Sequence, residues 1–369
     1  MNNTRGLRTA IGGAVLAALL AACTGGSGQG PSPEPSSSAV PPTGSPAPAG
    51  EVKTVIQGLI DRQGEPSKKS LGSVHAYVVK VRLADLQPTA YGPITADNAI
   101  DQAIQRVRQP DYAAVHMLLK LRVLAGIDAP DWVKQLGGAP LPYVNNQDGG
   151  STAGGSIGRF WTADFGKAYA DLQAKLAAKY DTVPELREIT VSRCSTIFDE
   201  LFVRQPGDAR NVRSLLAGGY TVAADKQCIQ DAITEHEVWR HTTSDVDFSP
   251  FPDVMNPGGD GDVTYTDTMM TFCRSALGIR CGLQNNAIST SKLENPRFQT
   301  MYATMTKLGP PIILQTAARK RIGDPAQTLA AAVKIGANSV ELPAGYDAWP
   351  PELLSSTAQA LAANPLPSG

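Results

Sequence analysis

Carboxylate, amide and indole side chains recur directly after short runs of apolar residues along this chain of 369 residues. Carboxyl groups can donate and accept protons in catalysis, and amides can bind hydroxyl groups. Glu200 in STIFDELF and Glu341 in SVELP are therefore the candidate catalytic residues. The candidate substrate-binding residues are Asp128, Asp131, Trp132, Asn285, Asn286 and Gln315.

The elements that must position these side chains alternate between two patterns. Short β-branched runs indicate strands, and segments such as TADFGKAYADLQAKLAAKYD have apolar residues at helical spacing. A second helix is expected over 94–107, with Thr95 or Asp97 as its N-cap. The strand candidates are 52–60, 74–86, 115–126, 187–197, 245–251, 280–289, 310–318 and 338–343.

Eight strands with helices between them predict an α/β fold of the (β/α)₈ TIM-barrel type, with a doubly wound open sheet as the alternative. No GxGxxG or Walker sequence marks a nucleotide site, and no cofactor is expected. In a barrel, functional residues lie at the carboxyl ends of the strands. The candidate residues above occupy those ends.

The N-terminal segment is typical of an exported protein. Arg5 and Arg8 precede an apolar run of about a dozen residues, too short to span a bilayer, and Leu-Ala-Ala-Cys follows. These features predict a signal peptide over residues 1–22. The Leu-Ala-Ala-Cys sequence at 20–23 resembles the bacterial lipobox. This resemblance implies that Cys23 carries lipid chains such as palmitate, which anchor the protein at the outer face of the cytoplasmic membrane.

Composition divides the rest of the chain in two. Residues 23–50 are almost entirely Gly, Pro, Ser and Ala, which predicts a disordered linker. Residues 51–369 are long enough for the barrel. The chain has 33 basic and 34 acidic residues without a basic cluster, so no nucleic-acid partner is expected.

The remaining four cysteines are even in number, as in exported domains with disulfides. Cys273 and Cys281 enclose a short loop, which favours that pair and leaves Cys194 with Cys228. Four free buried thiols are the alternative. No CxxC pair occurs, and His236 and His241 in HEVWRH are five residues apart, about 140° on a helix, so no metal site is predicted.

Two segments resemble a known family. VVKVRLADLQP and LLKLRVLAGIDAPDWV are similar to the second and third strand units of clan A glycoside hydrolases, most closely the β-galactosidase-like members. IGRFWTADFGKAYADLQAKLAAKYDTVPELREI is similar to the segment before their fourth strand. The chain as a whole resembles actinobacterial lipoproteins of this type. The resemblance implies a carbohydrate or another cell-envelope polymer as partner.

The resemblance also implies residue roles. The family's fourth strand ends in Asn-Glu, and its Glu is the general acid/base; the matching residues are Asp199 and Glu200. The family's nucleophile ends the seventh strand, where this sequence has Gln315, an amide that cannot perform that step. Hydrolysis usually needs two carboxyl groups, so Glu341 or a third-strand Asp would be the second.

Two hypotheses follow. The first is a surface glycoside hydrolase with Glu200 as general acid. The second is an inactive barrel that binds glycan or another envelope component. Local alternatives also stay open, because Trp132 can stack on a sugar or pack its loop, the pair Asn285 and Asn286 can bind hydroxyls or cap a turn, and Glu341 can be the partner of Arg122 or Arg193.

Overall fold

The computed structural model describes residues 51–146 and 153–368. The predicted signal peptide (1–22), the predicted linker (23–50) and Cys23 lie outside the described residues. Within the described ranges, no helix is both long enough and apolar enough to cross a membrane.

Ten strands are present in the described part of the chain. They are β1 (Gly58–Asp61), β2 (Ala76–Arg82), β3 (Leu118–Leu124), β4 (Leu141–Asn145), β5 (Ala153–Ile157), β6 (Leu186–Thr190), β7 (Thr243–Asp247), β8 (Cys281–Ile288), β9 (Ile312–Thr316) and β10 (Ser339–Leu342). Eight of them are parallel and close into a barrel in the order β1-β10-β9-β8-β7-β6-β3-β2, while β4 and β5 form a separate antiparallel hairpin.

The closed barrel confirms the predicted (β/α)₈ fold and excludes the open sheet. Each of the eight predicted strands overlaps a barrel strand, although several bounds differ. The first strand begins only at Gly58, the fourth ends at Thr190 rather than at Ile197, and the fifth begins at Thr243 and ends at Asp247 rather than at Phe251.

Helices cover the outside of the barrel. Side chains that alternate outward along the strands pack against them and form the main hydrophobic core. The helices are α1 (Leu83–Leu86), α2 (Ala99–Val107), α3 (Pro110–Ala113), α4 (Asp131–Lys134), α5 (Ala163–Tyr180), α6 (Ala209–Ala217), α7 (Val222–Glu235), α8 (Val263–Leu277), α9 (Thr290–Glu294), α10 (Pro296–Leu308), α11 (Pro325–Ile335) and α12 (Pro351–Ala362).

One predicted helix start is wrong. Helix α2 begins after Asn98, whose side-chain oxygen accepts hydrogen bonds from the backbone N–H groups of Ile100 and Asp101. Neither Thr95 nor Asp97 therefore caps this helix. Asn is as good an N-cap as Asp, and the residue closest to the first helical turn provides the cap.

The hairpin β4–β5 and helix α6 are additions that strand periodicity did not predict. The hairpin follows β3, and α6 contacts it through Asn211, which bonds the backbone N–H and C=O of Val144. These elements build up one side of the barrel at the carboxyl ends of the strands.

Both predicted disulfides are confirmed. Cys194 bonds Cys228, which links the segment after β6 to α7, and Cys273 bonds Cys281, which links α8 to the start of β8. The first disulfide anchors the segment that carries Asp199 and Glu200. The glycoside hydrolase resemblance places its functional pair on this same segment.

Candidate active site

A cavity of about 530 Å³ opens at the carboxyl ends of the barrel strands. Its lining comes from the ends of β1, β2, β3, β8 and β9, from the segment after β6, and from α9. Glu200 and its neighbour Asp199 face this cavity. We call it the barrel-mouth cavity.

The segment after β6 is held from several directions. Arg193 is buried and forms an ion pair with Glu235 of α7 at 2.7 Å, and it also donates to two backbone carbonyls before α5. The carbonyl of Thr196 accepts from the N–H of Ile127. A Cβ at Gly126 would lie 2.2 Å from that same carbonyl oxygen, so this close approach of backbones requires glycine.

Glu200 is the carboxyl group that this segment presents to the cavity. Its residue is only 6% exposed, and its Oε1 lies 3.5 Å from Arg204 Nη1, while Oε2 has no hydrogen-bond partner among the described residues. Burial raises the pKa of Glu200, Arg204 lowers it, and the neighbouring Asp199 raises it, with a net increase. A carboxyl group with a raised pKa keeps its proton closer to neutral pH and can serve as a general acid.

Asp199 is the second carboxyl group that lines the cavity. Its Oδ2 lies 2.8 Å from Nε of Arg122, a buried residue of β3 that also lines the cavity. The two adjacent carboxyl groups therefore have different partners. Asp199 lies 2.8 Å from the buried Arg122, and Glu200 lies 3.5 Å from Arg204.

Asp247 is a third carboxyl group in this region, and the sequence analysis did not nominate it. It ends β7, is 3% exposed, and neither of its carboxyl oxygens has a hydrogen-bond partner within the described ranges. Burial, followed by repulsion from Glu200 and Asp199, raises the pKa of Asp247 well above its ordinary value. Alternation along the strand gave a signal, since Asp245 and Asp247 are two positions apart and share the inward face.

A charged layer lies inside the barrel below the cavity. Lys120 on β3 is fully buried, with its Nζ 2.7 Å from Asp245, 3.0 Å from Glu341 and 3.7 Å from Glu188. A Cβ at Gly282 would lie 2.2 Å from Asp245 Oδ1, so the small residue on β8 makes room for this carboxylate. Sequence patterning did not predict this layer.

Glu341 belongs to that layer and does not line the barrel-mouth cavity. It is fully buried, and its two oxygens lie 2.9 and 3.0 Å from Nη2 of Arg122. Burial would raise the pKa of Glu341, but Arg122 and Lys120 hold it at about 2. Arg122 is one of the two structural partners considered for this residue, and Arg193 pairs elsewhere.

Gln315 and Asn286 both line the cavity. The Gln315 amide accepts from Arg122 Nη1 at 3.2 Å and donates to the backbone carbonyl of Asn286 at 3.0 Å. The Asn286 side chain accepts from Gln284, while its own Nδ2 has no partner in the described part of the chain. Asn286 therefore lines the cavity while its own amide donor is buried and unpaired in that part of the chain.

The other candidate binding residues lie away from the cavity lining. Asn285 points outward and bonds Phe248 and Tyr302, as expected from alternation with Asn286. The Trp132 indole donates to the carbonyl of Gln87 and packs near Tyr91. Asp128 is half-buried and Asp131 is exposed in the first turn of α4.

The two histidines of HEVWRH have separate contacts. His236 is fully buried, with Nε2 2.8 Å from Tyr169 Oη and Nδ1 3.1 Å from Ser244 Oγ, and burial lowers its pKa to about 3. The Nδ1 of His241 lies 3.0 Å from the carbonyl oxygen of Glu51. A neutral His236 packs helix α7 against the barrel.

The fold and the cavity define a parallel eight-stranded barrel with a carboxyl cluster at its C-terminal mouth, the usual place of active sites in this fold. No protein-family model matches the sequence, and neither does any curated protein. Glycoside hydrolases of known structure are similar in fold, at 10–14% sequence identity.

One is an endo-β-1,4-glucanase from Xanthomonas axonopodis pv. citri, with 11% identity and a TM-score of 0.45, covering 84% of this chain and 99% of the glucanase chain. Another is endo-glycoceramidase II from Rhodococcus sp., with 14% identity and a TM-score of 0.45, covering 84% and 80%. A third is the catalytic domain of β-amylase from Paenibacillus polymyxa, with 10% identity and a TM-score of 0.40, covering 85% and 91%. The barrel of this chain is established by its own strand pairing.

Proposed function

We propose that this chain is a glycoside hydrolase in which Glu200 protonates the leaving oxygen of a glycosidic bond at the barrel mouth. The observation that carries the proposal is the Glu200 carboxyl group, which is buried, has a raised pKa and faces a cavity at the carboxyl ends of the strands. The resemblance of residues 74–204 to clan A glycoside hydrolases supports the same residue for the same role.

Asp199 is the second carboxyl group of the proposed reaction. Glycoside hydrolysis uses one carboxyl group as acid and another as base or nucleophile. Asp199 faces the cavity and pairs with Arg122, whereas Glu341 is the counter-ion of two cations below the cavity. Burial, and then repulsion from Glu200 and Asp199, raise the pKa of Asp247, which is a further buried carboxyl group at the end of β7.

A hydrolysis screen tests this proposal. A panel of aryl glycosides is offered to the purified full-length chain, to Glu200→Gln and to Asp199→Asn. Loss of a general acid usually costs about 10²–10⁴-fold in rate, and we expect a loss of this order for Glu200→Gln. Glu294→Gln is the matched control, because Glu294 on α9 is exposed and has no side-chain partner in the part of the chain that the structure describes.

A barrel that binds glycan without cleaving it is the second candidate. Gln315 favours it, because an amide stands where the resemblance implies the nucleophile, and its hydrogen bonds to Arg122 and Asn286 hold it in place. Glycan binding without turnover of any aryl glycoside would support this candidate. Turnover that Glu200→Gln leaves unchanged would remove Glu200 from the mechanism.

We also propose that the barrel is exported and tethered by a lipid on Cys23 at the outer face of the cytoplasmic membrane. The basic start, the short apolar run and Leu-Ala-Ala-Cys in the sequence support this. Labelled palmitate should enter the wild type and not Cys23→Ala, and the variant should leave the membrane fraction. A variant that stays membrane-bound would contradict the lipid anchor.

A further inference from the structure

The barrel-mouth cavity is strongly basic, although the chain is almost neutral. Six basic side chains and two acidic ones line it, whereas the whole chain has 33 basic and 34 acidic residues. Positive charge is therefore concentrated at the site where Glu200 lies. The basic lining residues are Arg62, Lys80, Arg122, Arg204, Lys292 and Arg321.

Two of these cations are matched by carboxylates. Arg122 pairs with Asp199 and Glu341, and Arg204 lies 3.5 Å from Glu200. Carboxylates of the protein itself therefore balance the charges of Arg122 and Arg204.

The other four cations have no ion-pair partner anywhere in the described ranges. Arg62 donates to the carbonyl of Thr316 at 2.7 Å, and the Lys292 ammonium stands 4.0 Å over the ring of Phe298. The side chains of Lys80 and Arg321 are exposed and make no hydrogen bond or ion pair within those ranges.

The same cations crowd one another. Partial removal from water, and then repulsion from Arg122 and Arg62, lower the pKa of Lys80. The pKa of Lys292 is lowered in the same way, first by desolvation and then by repulsion from Arg321. Like charges that repel one another around one cavity are relieved by an anion bound between them.

We infer that the substrate or ligand of this cavity is an acidic sugar unit, one that carries a carboxylate or a phosphate. This inference rests on the proposed function, since it names the substrate class of the same site. Guanidinium groups such as Arg62 and Arg321 match the two oxygens of a carboxylate or phosphate, and a cavity of about 530 Å³ has room for a sugar residue.

Binding of matched probes tests the inference. Titration calorimetry with the purified full-length chain compares methyl glucuronoside with methyl glucoside, and glucose 6-phosphate with glucose. At about 20 mM salt, where charge interactions are weakly screened, at least one acidic probe should bind about tenfold more tightly than its neutral match. The preference should shrink at about 500 mM salt. The two acidic probes distinguish a carboxylate from a phosphate ligand.

Variants connect the preference to the cavity. Lys80→Gln combined with Arg321→Gln should weaken binding of the acidic probe about tenfold. Lys320→Gln is the control, because Lys320 is an exposed cation next to Arg321 that does not line the cavity. Equal affinity for acidic and neutral probes, or equal loss in the control, would overturn the inference. Inorganic phosphate that binds as tightly as glucose 6-phosphate would overturn the assignment to a sugar.

The outcomes separate this inference from the proposed function. Glu200→Gln should still bind the acidic probe, because the four unpaired cations are unchanged. Binding of that probe without any hydrolysis keeps the inference and removes the hydrolase. Hydrolysis of neutral aryl glycosides without preference for acidic sugars keeps the hydrolase and removes the inference.

Discussion

Lys120 is the cation on which the charged layer inside the barrel depends. Its Nζ contacts Asp245 at 2.7 Å, Glu341 at 3.0 Å and Glu188 at 3.7 Å, and all four side chains are fully buried. Lys120→Met keeps most of the side-chain volume and removes the charge. The three carboxyl groups would then face one another with Arg122 as the remaining contacting cation, bonded to one of them.

The magnitude follows from these contacts. Leaving a buried charge without its partner costs about 3–5 kcal/mol, so we expect the free energy of unfolding to fall by about that amount at neutral pH. Burial raises the pKa of Asp245 and Lys120 lowers it, so the variant raises that pKa further. A carboxyl group whose pKa is higher in the folded than in the unfolded state destabilises the fold fully above the folded pKa. This penalty disappears as the pH falls from the folded pKa toward the unfolded one. The loss should therefore shrink toward pH 5.

Urea unfolding measures this prediction through the fluorescence of Trp239, which is fully buried. Lys69→Met is the control and should change stability by less than about 0.5 kcal/mol, as expected of an exposed residue. Adding Asp245→Asn to Lys120→Met should recover about 1–2 kcal/mol, since the two residues are directly coupled. A loss below about 1 kcal/mol at neutral pH, given the size expected for buried pairs, or a loss independent of pH, would refute the reasoning.

Three more predictions concern the site and its supports. The kcat/KM for a cleaved glycoside should fall as the pH rises through the raised pKa of Glu200, because a general acid must be protonated, and an unchanged alkaline limb in Glu200→Gln would exclude this assignment. Gly126→Ala should cost about 1–3 kcal/mol in thermal unfolding through its clash with the Thr196 carbonyl, whereas Gly72→Ala, with open space around it, should cost little. The disulfide Cys194–Cys228 spans 34 positions and Cys273–Cys281 spans 8. Replacing both cysteines of the first should therefore lower the free energy of unfolding by about 1 kcal/mol more than replacing those of the second, and equal shifts of the melting temperature would contradict this.

The barrel could be predicted from sequence because its strands are buried on the helix-covered face and recur at regular spacing. The fifth predicted strand, 245–251, overlaps β7 at its carboxyl end. The hairpin β4–β5 was missed because one of its strands, Ala153–Ile157, is AGGSI and has no β-branched residue before its last position. Such a strand is specified by its partner and not by its own composition.

The site was predicted less completely, because strand ends alone do not say which side of the barrel a residue faces. Neighbours such as Asn285 and Asn286 point to opposite faces, and only the second reaches the cavity. Trp132 follows β3, but its indole donates to the Gln87 carbonyl and does not line the cavity. Asp247 was missed although its alternation with Asp245 marks both as inward, a signal that becomes useful once the strand bounds are known.

Charge inside this barrel follows two different rules at two depths. In the lower layer every cation contacts carboxylates, as it must, because an unpaired charge without water is prohibitively unfavourable. At the mouth, four cations remain unpaired among the described residues although water can reach them. The paired charges of the lower layer are explained by the stability of the fold, but the unpaired like charges at the mouth reduce that stability. Their presence beside Glu200 is therefore explained by what enters the cavity.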